Sequence, residues 1–138
     1  MKLVQKMMEK VLNEIRHSDF DFTTENGNYH YIEVIDNIET EFIFLKHHDE
    51  QKVWTYKFLT GNSTVLGKYI SSSILIRSVG VLNSFLFKVK PNEVRFDSDS
   101  KRTDLYDKLV INVLKKHSKY STSKEEINGK YYFSIIRN

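Results

Sequence analysis

Two aspartates, Asp97 and Asp99, stand in the stretch VRFDSDSKRTDLYDKLVINVLKKH, residues 94–117, where a strand-like run turns into a helical one. Alternate residues of an extended chain share a side, so the pair could set two carboxylates on a divalent cation. The competing reading is that Asp99 or Ser100 caps the following helix while Asp104 complements its positive end. Capping is the stronger preference, and no metal site is assigned. His47 and His48 are adjacent at a strand end, where successive side chains point to opposite faces, which suits a shared metal poorly. His17, His30 and His117 have no motif spacing to one another. No Gly-x-Ser-x-Gly elbow marks a nucleophile, and with no cysteine there is neither a thiolate nor a disulfide framework. Lys115, Lys116, His117 and Lys119 crowd a helix carboxyl end, where they complement the helix dipole.

The elements that must hold these groups follow from periodicity. In residues 1–17 Leu3, Val4, Met7, Met8, Val11, Leu12 and Ile15 recur at helical spacing and predict an amphipathic helix. The polar stretch HSDFDFTTENGN is a loop with a tight turn at Asn26-Gly27. Three strands follow, YHYIEVID, ETEFIFLKH and QKVWTYKFL, forming an antiparallel meander with turns at NI and HDE. In the second and third, both alternate sets are partly apolar, so the sheet is expected to be covered on both faces. After the hinge TGNSTVLGK, Ile74, Leu75, Val79, Leu82, Phe85, Leu86 and Val89 predict a buried helix ending before Pro91. Arg77 and Lys88 argue against its spanning a membrane. NEVRFDSD is then a strand, RTDLYDKLVINVLKKH a helix and KYYFSIIR a closing strand.

The 138 residues, 40% hydrophobic, suit one α+β domain over 1–138 with a mixed, mainly antiparallel sheet, helices on both faces and the order α-β-β-β-α-β-α-β. Basic residues exceed acidic ones only 21 to 18, a weak footprint for nucleic acid. Charges at Lys6, Glu9 and Lys10 break any signal-peptide core, and a cytoplasmic protein is expected.

That order resembles the core of the GNAT N-acyltransferases, and VRFDSDSKRTDLYDKLV is similar to the family's late strand, turn and helix, with Leu105, Tyr106, Asp107, Lys108 and Leu109 at the matching places. The resemblance implies Tyr106 as general acid to the departing thiolate. Beside Leu105, Leu109 and Val110 the same ring can simply fill the core. The resemblance also implies a pyrophosphate site at the start of the helix after the third strand, where free N–H groups face the phosphates. Here Gly67, Lys68 and Ser71, with Ser72 and Ser73, are the available donors, but the Arg/Gln-x-x-Gly-x-Gly/Ala pattern is missing. The commoner role of such residues is a cap and flexible hinge.

With that motif missing, the sequence reads first as a small non-enzymatic interaction protein that binds another macromolecule and needs no cofactor, with a composition of the kind phages and mobile elements encode. The alternative is a GNAT-like N-acyltransferase using acetyl-CoA or another acyl-CoA. The expected partner is a protein or a second copy, with nucleic acid weakly supported and no membrane. Trp54, Tyr56 and Phe58 share one face of the third strand and, with Phe42 and Phe44, could form an exposed aromatic patch for it.

Overall fold

A computed structural model describes residues 20–60, 72–99 and 117–138, together with 107, 110, 111 and 113–115. The expected helix over residues 1–17 lies outside these. The elements in chain order are β1 (Thr23–Glu25), β2 (Asn28–Ile35), β3 (Ile38–Lys46), β4 (Val53–Thr60), α1 (Ser72–Val89), β5 (Glu93–Asp99), β6 (Tyr120–Ile127) and β7 (Lys130–Arg137). Residues 107, 110, 111, 113 and 114 are helical.

All strands belong to one seven-stranded sheet of order β1-β2-β3-β4-β5-β7-β6. Every neighbouring pair is antiparallel except β4 with β5. Three hairpins close through two-residue turns, Asn26-Gly27, Asp36-Asn37 and Asn128-Gly129, in which both residues have positive φ. Turns of that hand match the twist of the flanking strands, and asparagine, aspartate and glycine are the residues that tolerate the conformation. The second turn sits at Asp36-Asn37 rather than at the expected Asn37-Ile38, so Ile38 opens β3 opposite Ile35.

The parallel connection needs a crossover, and α1 supplies it. Its apolar positions face the sheet: Ile74, Val81 and Phe85 are fully buried, and Pro91 follows its end. The Phe85 ring stacks on Phe44 at 3.7 Å between centroids and meets Trp54 and Tyr29 edge-on. Phe20, Phe42, Val94, Phe96, Phe133 and Ile135 extend this core along the sheet, and Val110 and Val113 belong to the same cluster. The helical residues around 110 and 113 therefore pack on the face that α1 covers. On the opposite face Ile43 and Val53 are buried, whereas Ile32, Val34, Leu59 and Ile136 are exposed.

Two strands exceed the expected order. β1 is three residues long. β6, YSTSKEEI, is exposed along its length apart from Tyr120, so it carries no apolar alternation to betray it. Pairing with β7 alone makes it a strand.

Candidate functional site

The parallel pair β4 and β5 is joined over only three positions, Val53 with Glu93, Trp54 with Val94 and Thr55 with Arg95. Beyond them β4 continues to Thr60 along β3, and β5 continues to Asp99 along β7. Each strand keeps its outer neighbour and loses its inner one. The sheet therefore parts into a wedge that opens toward the carboxyl ends of two parallel strands. In open sheets with a parallel segment this is the place where ligands enter.

Hydrogen bonds fix which backbone groups look into the wedge. His47 N–H donates to the Val53 carbonyl at 2.9 Å, so the odd positions of β4 are turned to β3 and the backbone of Phe58 is turned to the wedge. Arg137 N–H donates to the Asn92 carbonyl at 2.9 Å, which turns the even positions of β5 to β7 and leaves the backbone of Asp97 on the wedge side. Phe58 and Phe96 flank the opening on the face toward α1. Lys57 and Asp97 stand on the other face. Along the chain the next described element after β4 is α1, which starts at Ser72 and whose first turn contains no acidic residue. The positive end of α1 thus keeps its preference for an anion uncompensated by a side chain of its own.

The joined end of the pair is held by charge. Arg95 binds Glu93 through Nε at 2.5 Å and Glu50 through both terminal nitrogens at 3.0 and 2.7 Å. Hydrogen bonds donated to Glu93 and then to Glu50 push the guanidinium pKa up, so it stays charged at any ordinary pH. The Glu50 ligand atom also lies within 4.8 Å of those of His47 and Asp49, a grouping with metal-binding residue types. There the glutamate is engaged by Arg95, while His47 Nε2 sits 2.6 Å from Thr55 Oγ1. These contacts lock the loop between β3 and β4 to β5, and we assign the cluster that role. At the amino end of β4 a second concavity, about 570 Å³, is floored by Phe22, Tyr29 and Trp54. Lys88 on its rim donates to the Phe20 carbonyl at 2.8 Å and closes that end of α1 against the chain.

The residues singled out in the sequence fare differently. Tyr106, Gly67, Lys68 and Ser71 lie outside the described residues. Asp107, next to Tyr106, is helical and receives Lys124 Nζ at 2.9 Å. Asp97 is paired with Lys130 Nζ at 3.2 Å, an exposed contact. The aromatic patch is corrected. Trp54 and Tyr56 are 5% and 7% exposed, and Phe58 is half-buried against the core. The reason is α1: Phe85 fills the space over Trp54, and the Tyr56 hydroxyl donates to the Ser78 carbonyl at 2.8 Å. Tyr120, at the start of β6, is buried with its hydroxyl donating to the Pro91 carbonyl at 2.9 Å.

His117, read from the sequence as a dipole-complementing cation, is buried instead. Its Nε2–H donates to Asn83 Oδ1 at 2.6 Å, and its ring meets Phe87 and Tyr120. Burial lowers its pKa from the usual 6.5. The unfolded chain then takes up the proton at a higher pH than the folded one. The stabilisation is complete above about pH 6.5 and is lost as pH falls through the lowered folded value. Thermal melts should drop between pH 7.5 and pH 5, and the drop should be smaller in His117→Gln, which keeps a neutral donor for Asn83.

No protein-family profile and no curated protein matches the chain. Solved structures do. An acetyltransferase of the GNAT family from Bacillus anthracis is 15% identical with a TM-score of 0.44, over 79% of this chain and 65% of that one. A chimera of the Vibrio cholerae spermidine N-acetyltransferase SpeG with hSSAT is 11% identical with a TM-score of 0.45, over 94% and 75% of the two chains. A GNAT-family acetyltransferase from Streptococcus pneumoniae is 8% identical with a TM-score of 0.37, over 94% and 73%. This chain thus spans less than two thirds of the Bacillus anthracis protein. The fold itself is α+β with a mixed, mainly antiparallel sheet. All three are acetyltransferases, which is the class of the acyltransferase alternative and not that of the non-enzymatic interaction protein expected from the sequence. No helix among the described residues is long and apolar enough to cross a membrane.

Proposed function

We propose that the chain is an N-acyltransferase using acyl-CoA, with the wedge between β4 and β5 as its thioester site. The observation that carries this is the parting of the two parallel strands after Thr55 and Arg95. An extended arm bearing amide groups fits such an opening because the strand backbone can pair with it much as it pairs with another strand. Phe58 and Asp97 offer those groups. The first turn of α1, which carries no acidic residue, suits a pyrophosphate at the other end of the same arm. On the resemblance, Gly67, Lys68 and Ser71 hold that pyrophosphate.

Acyl-CoA supplies an activated thioester carbonyl. In the transfer an amine nitrogen forms a bond to that carbon while the carbon–sulfur bond breaks, so the amine must lose a proton and the thiolate must gain one. On the same resemblance Tyr106 is the donor to the thiolate. Asp107, the residue after Tyr106, is helical and accepts from Lys124 of β6 in an exposed ion pair.

Calorimetry with acetyl-CoA tests the site. A micromolar dissociation constant, about −8 kcal/mol, is expected. No binding at about 1 mM ligand, which would leave less than about −4 kcal/mol, sinks the reading. Where binding is found, Tyr106→Phe should slow thiol release with an amine acceptor and leave the affinity for acetyl-CoA nearly unchanged.

A further inference from the structure

The concavity at the amino end of β4 is made of parts that the wedge does not use. Its floor is apolar, with Phe22 and Tyr29 half-buried and Trp54 buried. At about 570 Å³ it has the volume of a small-molecule site. Its charged lining residues are Lys52, Lys88 and Asp21. The wedge opens beyond Thr55, toward the other end of the same strand. Neither the Lys52 ammonium nor the Tyr29 hydroxyl has a hydrogen-bonding partner among the described residues, so both keep that capacity for a ligand.

Lys52 is held in a left-handed conformation, φ 54°, where glycine or asparagine fits more easily than lysine. The junction of the parallel pair imposes it. The Lys52 carbonyl accepts from the Asn92 N–H at 2.8 Å and the Glu93 N–H at 3.3 Å, and the Asn92 side chain donates to the Gln51 carbonyl at 3.0 Å. A lysine in that place gives up stability that a glycine would keep, and its ammonium gains no described partner in return. Strain of this kind collects where a ligand is held.

The charges decide the sign of that ligand. The aromatic rings are already taken by the protein's own cations, with Lys46 Nζ 4.8 Å from the Trp54 centroid and Lys88 Nζ 5.8 Å from that of Phe22. Lys46 is fixed there by the His47 and Glu50 carbonyls at 3.0 and 2.9 Å, and Lys88 by the Phe20 carbonyl at 2.8 Å. A cationic ligand would be repelled by these ammonium groups. Against Lys52 and Lys88 the lining sets one carboxylate, Asp21, and the carboxyl end of α1 adjoins through Lys88 and Val89. Both oppose a doubly charged phosphate more than a singly charged carboxylate. The floor selects the body: Phe22 meets Tyr29 edge-on at 6.1 Å, and Tyr29 meets Trp54 edge-on at 6.0 Å, a packing that a further flat ring continues.

We propose that this concavity is a binding site for a small aromatic carboxylate, whose ring lies on Phe22 and Tyr29 and whose anion is paired by Lys52. Trp54 is the single tryptophan of the chain, so its fluorescence reports on this place alone. The probe is para-nitrobenzoate, a flat acid whose nitro group quenches indole on contact. It should quench saturably, with a dissociation constant on the order of 1 mM or below. The neutral para-nitrobenzyl alcohol should bind about tenfold more weakly, through the lost charge-assisted bond. Lys52→Gly should bring the acid down to the affinity of the alcohol and leave the melting temperature unchanged or raised, since glycine relieves the left-handed position. Quenching that rises linearly, as for a free tryptophan derivative, overturns the proposal. Equal affinity for acid and alcohol overturns it too, as does an acid affinity that survives Lys52→Gly. Acetyl-CoA should leave the affinity for the acid unchanged; displacement would assign the acid to the wedge and overturn a separate site. The proposal stands apart from the acyltransferase reading, because Lys52 is not in the wedge.

Discussion

Phe85→Ala should cost about 3–5 kcal/mol of stability and lower the melting temperature by on the order of 10 °C, because the ring it removes joins the crossover helix to the sheet. Phe85 is fully buried, stacked on Phe44 and edge-on to Trp54, Tyr29 and Phe22. These partners come from β2, β3, β4 and the segment leading into β1, so no one of them can shift to fill the gap without disturbing the others. A large residual cavity is therefore expected, and the cost rises with that volume. Phe87, two positions further along the same helix, is 70% exposed. Phe87→Ala should change stability by no more than about 0.5 kcal/mol. Urea unfolding of both variants checks the pair. Equal losses would mean that α1 is docked by a face other than the one carrying Phe85.

The second large effect concerns the wedge. Phe58→Pro removes a backbone N–H that points into the opening, yet it leaves every hydrogen bond between β3 and β4 in place, since Phe58 is turned away from β3. If the acyl-CoA arm pairs with β4, this variant should bind acetyl-CoA about tenfold more weakly or worse, through the lost bond of about 1 kcal/mol and the crowding of the ring. Phe58→Ala keeps the N–H and is the control. The two variants should differ in calorimetry while giving the same far-ultraviolet circular dichroism. Equal affinity in both would show that the arm does not use the strand backbone.

The character of most elements was legible in the sequence by itself. The closing strand KYYFSIIR coincides with Lys130–Arg137, and NEVRFDSD contains Glu93–Asp99. The helical spacing of Ile74, Leu82 and Phe85 picked out the face of α1 that is buried. Such signals are local: side chains repeat every 2 residues on a strand and about every 3.6 on a helix, so a half-buried element shows its period in its own letters. Asn26-Gly27 was legible for a related reason, since few residues accept positive φ. β6 was not, because YSTSKEEI is exposed at nearly every position and is a strand only by virtue of β7.

Only the tertiary structure decided the rest. In the sequence Trp54 and Tyr56 could be patch or core, core being the commoner fate of such rings, until α1 placed Phe85 over Trp54 and the Ser78 carbonyl against the Tyr56 hydroxyl. The wedge has no local signature at all. It exists because β5 follows β7 along its whole length while β4 follows β3, and the choice of neighbour lies in contacts between segments far apart in the chain. The concavity floored by Phe22, Tyr29 and Trp54 is of the same kind, since its lining comes from the lead into β1, from β2, from β4 and from the end of α1. Periodicity reports which way a side chain points relative to its own backbone, and it carries no information about what stands on the other side.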